Sequence, residues 1–202
     1  MSTFTQTSYS GVDFSDECYN DAELNRLRFI GCTFDRADFS NATLDTLHFE
    51  ECSFKGCRFI GAVIRNTAFI GCSFGFASLF GTQLIDCKLT GSSLVDCDAN
   101  CMELVGGNLS YTDLRGINFS KMRLTGVNFK GADLFGCRFD QAKLKDCDFT
   151  GAILTKASFQ GADIRDSLIE GTDLLNIKLK NTKIDLAQAI AISRAFGGVY
   201  TP

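Results

Sequence analysis

The sequence holds one histidine, His48, and nothing that resembles a nucleophile elbow, a phosphate-binding loop or an HExxH motif. Catalysis needs converging acids, bases or nucleophiles. The chain therefore reads as a non-enzyme with no cofactor and no metal site, and His48 as a solvated side chain in an outward position. Cations are not in excess either: 20 Lys and Arg stand against 24 Asp and Glu, giving a net charge of −4 and a pI near 5.0. Gripping phosphates requires clustered Lys and Arg, so direct nucleic-acid binding is not expected, whereas a partner that is itself basic fits. Long apolar runs are missing as well. The first twenty residues, "MSTFTQTSYSGVDFSDECYN", have neither the charged start nor the apolar run of a signal peptide, and nothing later reaches the length of a membrane span. The expectation is a cytoplasmic protein without membrane contact.

What the chain does contain is a rhythm of five. Its 202 residues, 45% of them hydrophobic, suffice for one domain with a sizeable core. In "GADLFGCRFDQAKLKDCDFTGAIL", residues 131–154, the large residues Leu134, Phe139, Leu144, Phe149 and Leu154 recur at every fifth place. Ala132, Cys137, Ala142, Cys147 and Ala152 stand two residues before them. This large slot runs from Phe14 to Ile184 without an insertion, and Leu, Phe, Ile or Tyr fills 34 of its 35 positions, Ala99 being the exception. Neither the 3.6-residue period of a helix nor the period of two of a strand fits, so the chain must turn the same way once per pentad. Fourteen of the 19 glycines lie two residues after the large slot, where a tight turn favours positive φ.

Eight of the ten cysteines (Cys32, Cys52, Cys57, Cys72, Cys87, Cys97, Cys137 and Cys147) occupy the small slot, where cysteine behaves as a small buried hydrophobe. Stacked at sheet spacing, Cys32, Cys52 and Cys72 would suit a disulfide or a metal geometrically, but a cytoplasmic core favours free thiols.

A longer period appears when residues twenty apart are compared. Phe14, Phe34, Phe54 and Phe74 form one series, Phe119, Phe139 and Phe159 another, and Leu24, Leu44, Ile64 and Leu84 open a purely aliphatic one. Four pentads thus complete one coil, and successive coils stack equivalent side chains into ladders: a four-sided solenoid. At ~4.8 Å per coil, about nine coils make a rod on the order of 40 Å long.

The motif in "GADLF", "GADIR", "GTDLL" and "YTDLRGINFS" resembles the A(D/N)LXX pattern of the pentapeptide-repeat family over residues 12–186. The resemblance implies an all-β solenoid, a right-handed quadrilateral β-helix, closed here by a short C-terminal α-helix. The expected division is a lead-in over 1–11, the repeat over 12–184, and a helix with tail over 185–202 as a dimerisation module.

In "TKIDLAQAIAISRAFGGVYTP" the rhythm breaks. Asp185 can cap a helix, Gln188 stands at the capping-box position, and Gly197-Gly198 can end it. Leu186, Ala189, Ile190, Ile192 and Phe196 leave little polar surface, so more than one side of this helix must be covered. The solenoid covers one, and a second subunit is expected at the others. The alternative is a helix that merely caps the rod. The tail looks like the dimerisation segment of Qnr-type quinolone-resistance proteins and their mycobacterial relative. That resemblance implies a homodimer that binds DNA gyrase or topoisomerase IV by imitating duplex DNA and protects it from poisons.

DNA mimicry needs arrayed carboxylates. Summed charges on the four faces come to about −3, 0, −1 and −1, and the largest acidic excess lies on the face of Phe14, with Asp13, Asp16, Asp96, Asp113, Asp133 and Asp173. An equally weighted reading has these residues hydrogen-bonding turn backbone in the (D/N) slot. Unlike many Qnr-type proteins, the chain has no loop interrupting the register. Among outward apolar residues, Phe76 and Phe80 are the candidate partner contacts. Ala99, between Cys97 and Cys101, predicts a local bend or cavity. In order of preference, the chain is a topoisomerase-protecting binding protein, an interaction scaffold with another partner, or a solenoid enzyme.

Overall fold

The computed structural model describes residues 4–201; residues 1–3 of the expected lead-in lie outside them. Each pentad forms one side of a coil. Its large residue points inward, and two residues later the backbone turns the corner with positive φ, as at Gly31 (58°) and Gly56 (68°). Corners without glycine pay for the same conformation: Asp16 adopts 62° and Phe76 59°.

The regular strands are three residues long. In chain order they are β1 (Ser8–Ser10), β2 (Glu23–Asn25), β3 (Arg28–Ile30), β4 (Thr43–Asp45), β5 (His48–Glu50), β6 (Val63–Arg65), β7 (Ala68–Ile70), β8 (Gln83–Ile85), β9 (Glu103–Val105), β10 (Arg123–Thr125) and β11 (Lys143–Lys145). All pair in parallel, each residue opposite the one twenty later: β1-β3-β5-β7 form one sheet, β2-β4-β6-β8-β9 a second and β10-β11 a third. The other two sides are joined by single parallel bridges in the same register, such as Asp13 to Thr33 and Cys18 to Asp38. The solenoid reading therefore holds, and Ser8–Ser10 already belongs to it although the sequence placed it in the lead-in.

Stacked rings fill the axis. Phe34 and Phe54 lie 5.2 Å apart at 7°, Phe39 and Phe59 5.1 Å at 5°, and Phe49 and Phe69 5.0 Å at 5°. Phe119, Phe139 and Phe159 stack at 5.0 and 4.8 Å. Between these blocks, the large slots from 79 to 114 hold Leu79, Leu84, Leu89, Leu94, Ala99, Leu104, Leu109 and Leu114, with no ring among them.

Within this ring-free stretch the ladder opens. On two adjacent sides, residues 97–106 and 117–126 are not bridged, and clefts of about 340 Å³ beside Ala99 and about 430 Å³ between Met102 and Met122 lie there. The remaining two sides of the same junction keep their bonds, Leu94 N–H to Asp113 O at 2.9 Å and Leu109 N–H to Asn128 O at 2.8 Å.

All ten cysteines are free thiols. Seven of the eight in the small slot are buried, and Cys97, beside the opening, is partly so. Their thiols point at carbonyls of the preceding coil, as Cys137 does to Leu114 O at 3.0 Å and Cys97 to Phe74 O at 2.8 Å. Burial pushes Cys137 and Cys97 up to about 12, and Cys87 and Cys147 up to about 11. These groups stay protonated below that range, and only the thiolate reacts. Titration of the native protein at pH 8 with an aromatic disulfide is therefore expected to label the two exposed thiols, Cys18 and Cys101, rapidly. Rapid labelling of all ten would contradict the sealed core.

The chain ends in α1 (Leu186–Ala195). Asp185 caps it, accepting from Gln188 N–H at 3.0 Å, while the Gln188 side chain accepts from Asp185 N–H at 3.1 Å. Gly197, φ 82°, follows its end. No described helix is long and apolar enough to cross a membrane.

Candidate partner-binding surfaces

The six carboxylates singled out in the sequence do share one face, in two columns of twenty-residue register. Asp13, Asp113, Asp133 and Asp173 occupy one; Asp16 and Asp96 stand in the corner column beside it. Most of them do structural work. Asp13 accepts from Ser15 N–H at 2.9 Å, Asp133 from Phe135 N–H at 3.0 Å and Asp173 from Leu175 N–H at 3.1 Å. Such bonds two residues along the chain hold the turn.

Arginine answers others. Arg36, one coil on from Asp16, grips it at 2.7 and 2.6 Å, and Arg115 holds Asp113 at 2.8 and 2.7 Å and approaches Asp133 at 3.7 Å. The hydrogen bonds from Arg36 hold the Asp16 carboxyl below the usual range, and those from Arg115 do the same for Asp113. The acidic face is thus partly neutralised by its own neighbours. The Asp16–Arg36 pair was legible as opposite charges twenty residues apart, and Arg58 with Asp38 at 2.7 Å is another. His48 belongs to a similar surface group, 3.2 Å from the Glu50 carboxylate that Arg28 also holds.

Phe76 stands one coil below Asp96 in the same corner column, 67% exposed; Phe80, at the next corner, is 46% exposed. Phe76 keeps a bulky side chain at a left-handed corner where glycine, asparagine or aspartate would be easier. Replacing it with asparagine is expected to raise stability by ~1 kcal/mol, measured as a higher thermal midpoint. A lower midpoint would show that the ring supports the fold.

At the C-terminal end, the sequence grouped five residues of α1 and its tail as one interface; the structure divides them. Ile192, with Ala191, packs against the solenoid core, while Ala189 and Ile190 are half-buried, Ile190 lining a cleft of about 690 Å³ between helix and last coil. Leu186 (68%) and Phe196 (66%) remain exposed, joined by Val199 and Tyr200. The outward apolar surface therefore centres on Leu186 and Phe196 and extends into the tail.

Gln188 has a second role that capping logic did not reveal. Its side chain is buried and donates to Ile164 O at 2.5 Å and Ser167 O at 2.8 Å, pinning the helix to the last complete coil. Gln188→Ala leaves the Ser167 carbonyl without a partner and Ile164 O with only the Ser167 N–H at 3.2 Å, a loss of about 2 kcal/mol. Faster tryptic cleavage after Arg194 is the expected readout; unchanged cleavage would mean the helix is held by its apolar side alone.

Comparison with known proteins accords with this architecture. A family profile described as pentapeptide repeat region matches residues 2–79, and one described as pentapeptide repeats (8 copies) matches 103–141 and 132–171. No sequence match among curated proteins was found. Among solved structures, full-length QnrB1, a plasmid-mediated fluoroquinolone resistance protein, superposes with a TM-score of 0.68 at 20% identity, over 94% of this chain and 99% of that one. A trypsin-treated QnrB1 variant gives 0.63 at 23% identity, over 96% and 97%. At such identities the likeness concerns the fold. With five-residue sides, a twenty-residue register and matching profiles in both halves, the chain belongs to the pentapeptide-repeat family.

Proposed function

We propose that this protein is a non-enzymatic binding protein that engages DNA gyrase or topoisomerase IV as a homodimer and protects the enzyme from quinolones or a natural poison. The observation that carries the reading is the end-to-end correspondence with QnrB1, over 94% of this chain and 99% of that one. The apolar surface of Leu186 and Phe196 at the rod's end supports the homodimer. It is the part of the molecule that a second copy would cover with least cost, because its apolar groups already face water.

The mimicry resides more in shape than in charge. A rod of stacked coils can enter a groove made for duplex DNA, but carboxylates already held by Arg36 and Arg115 attract a basic saddle less than free ones would. The contact surface is the face of Asp13, Asp16, Asp96, Asp113, Asp133 and Asp173, with Phe76 as its apolar anchor and Phe80 beside it. Those internal ion pairs also favour a second reading, an interaction scaffold whose partner is not a topoisomerase.

Sedimentation velocity with labelled protein and an excess of purified gyrase or topoisomerase IV separates the two. Co-sedimentation that weakens at least tenfold in Phe76→Asn supports the first reading. Free sedimentation of the label with both enzymes supports the scaffold.

A further inference from the structure

The opened junction in the middle of the rod has the construction of a hinge. In the coil before it, Leu79, Gly81, Asp86, Asp98 and Glu103 donate their N–H groups to neighbouring coils at 2.7, 3.1, 2.9, 2.9 and 2.8 Å. In the coil after it, Phe119, Lys121, Gly126, Arg138 and Lys143 do the same at 2.7, 2.9, 2.9, 3.1 and 2.9 Å. At the junction the five equivalent donors, Ala99, Cys101, Gly106, Asn118 and Arg123, make none of these bonds. Two neighbouring sides of the four are therefore unzipped, and two stay closed.

The packing explains where this happens. Ala99 is the one small residue in the large slot, so between Leu79 and Phe119 the axis holds only a methyl group. Ala99, Cys97 and Met122 are only partly buried, unlike most of their counterparts along the rod. The Ser120 hydroxyl, beside the unmade Cys101 bond, is buried without a hydrogen-bond partner. The aromatic stacks that stiffen both halves stop short of this coil. Where the open sides meet a closed one, Gly106 and Gly107 follow each other with φ of 61° and 96°, and consecutive glycines can absorb a change of backbone angle. Elsewhere the coils are tied on all four sides, or on three in the last coil, where only the side of Ile153 and Asp173 is open, so bending them breaks hydrogen bonds. Here bending breaks none, because the bonds on the open sides are already unmade.

We propose that the rod flexes at this junction. The stack of residues 24–95 and that of 127–184 move as two stiff bodies about the closed sides at Leu94–Asp113 and Leu109–Asn128, and the clefts beside Ala99 and Met102 widen and narrow as they do. The motion changes the angle between the two ends of the carboxylate-bearing face, and it follows from the packing whatever partner that face meets.

Amide exchange and residual dipolar couplings, measured by NMR on the full chain and on Ala99→Leu, test this. The Ala99, Cys101, Gly106, Asn118 and Arg123 amides are expected to exchange on the order of a hundredfold faster than Leu79, Gly81, Asp86, Asp98 and Glu103. Couplings from the two bodies are expected to require alignment tensors of different magnitude. Ala99→Leu, by refilling the axis, should slow that exchange and bring the tensors together. A single common tensor in the unmodified protein would overturn the proposal even if exchange were fast, because the gap would then be rigid and water-filled. Should Ala99→Leu fail to fold, the tensor comparison in the unmodified chain decides alone.

Discussion

Phe139→Asp is expected to unfold the C-terminal coils. Phe139 is fully buried, its ring stacked between Phe119 at 5.0 Å and Phe159 at 4.8 Å. Deleting a buried ring costs about 3–5 kcal/mol, and an unpaired carboxylate in the same place costs several more. Small domains hold only about 5–15 kcal/mol in total. The solenoid distributes its stability over neighbouring coils, so the loss should appear first in the stack from Phe119 onward. Circular dichroism and limited proteolysis would register it as lost β signal with the N-terminal aromatic block retained. An unchanged melting curve would mean that Phe139 does not face the axis. The same chemical change at Phe76, exposed at a left-handed corner, is expected to leave the fold intact.

Arginine at both Leu186 and Phe196 is expected to convert a dimer into a monomer of 22.1 kDa. Both side chains face solvent in the single chain, so the substitutions disturb neither the cap at Asp185 nor the anchor at Gln188. Paired across a two-fold axis, they would place like charges where apolar groups should meet, and juxtaposed like charges cost several kcal/mol. A weakening of about a thousandfold in self-association corresponds to ~4 kcal/mol, readable by sedimentation equilibrium. Ile190 is a poorer choice for this test, because it lines the cleft under the helix and arginine there would also disturb docking. A dimer that survives the double substitution would move the interface elsewhere and weaken the parallel with a two-subunit rod.

Much of the architecture was readable from residue spacing because a solenoid repeats its physics. Each pentad meets the same constraints, a large residue for the axis, a small one beside it and a corner with positive φ, so the pattern is averaged over 35 positions. The capping box was readable for a similar reason, being a local motif with fixed spacing. Ala99 drew attention as the break in the pattern, but the opening's reach around the corner to Met102 and Met122 depends on contacts between stacked coils, and no single position records that. The Asp16–Arg36 and Asp38–Arg58 pairs could have been found by comparing charges twenty residues apart, the same operation that revealed the phenylalanine ladders. Gln188 could not: its anchoring role depends on where the helix lies against Ile164 and Ser167.

That difference bears on function. The axis of the rod is built from repetition, whereas a partner surface is built from exceptions. Phe76 at a strained corner, Asp96 in the corner column one coil further on, and Leu186 with Phe196 beyond the last coil are residues the solenoid does not require.

The most direct test of the central claim titrates the purified protein into gyrase and topoisomerase IV reactions containing ciprofloxacin, following supercoiling or decatenation together with drug-stabilised DNA cleavage. The account predicts recovered activity and reduced cleavage as the protein is added, with the effect diminished in Phe76→Asn and in the Leu186→Arg, Phe196→Arg pair. Cleavage that stays at its drug-induced level across the titration, with both enzymes and with poisons of other classes, would contradict it.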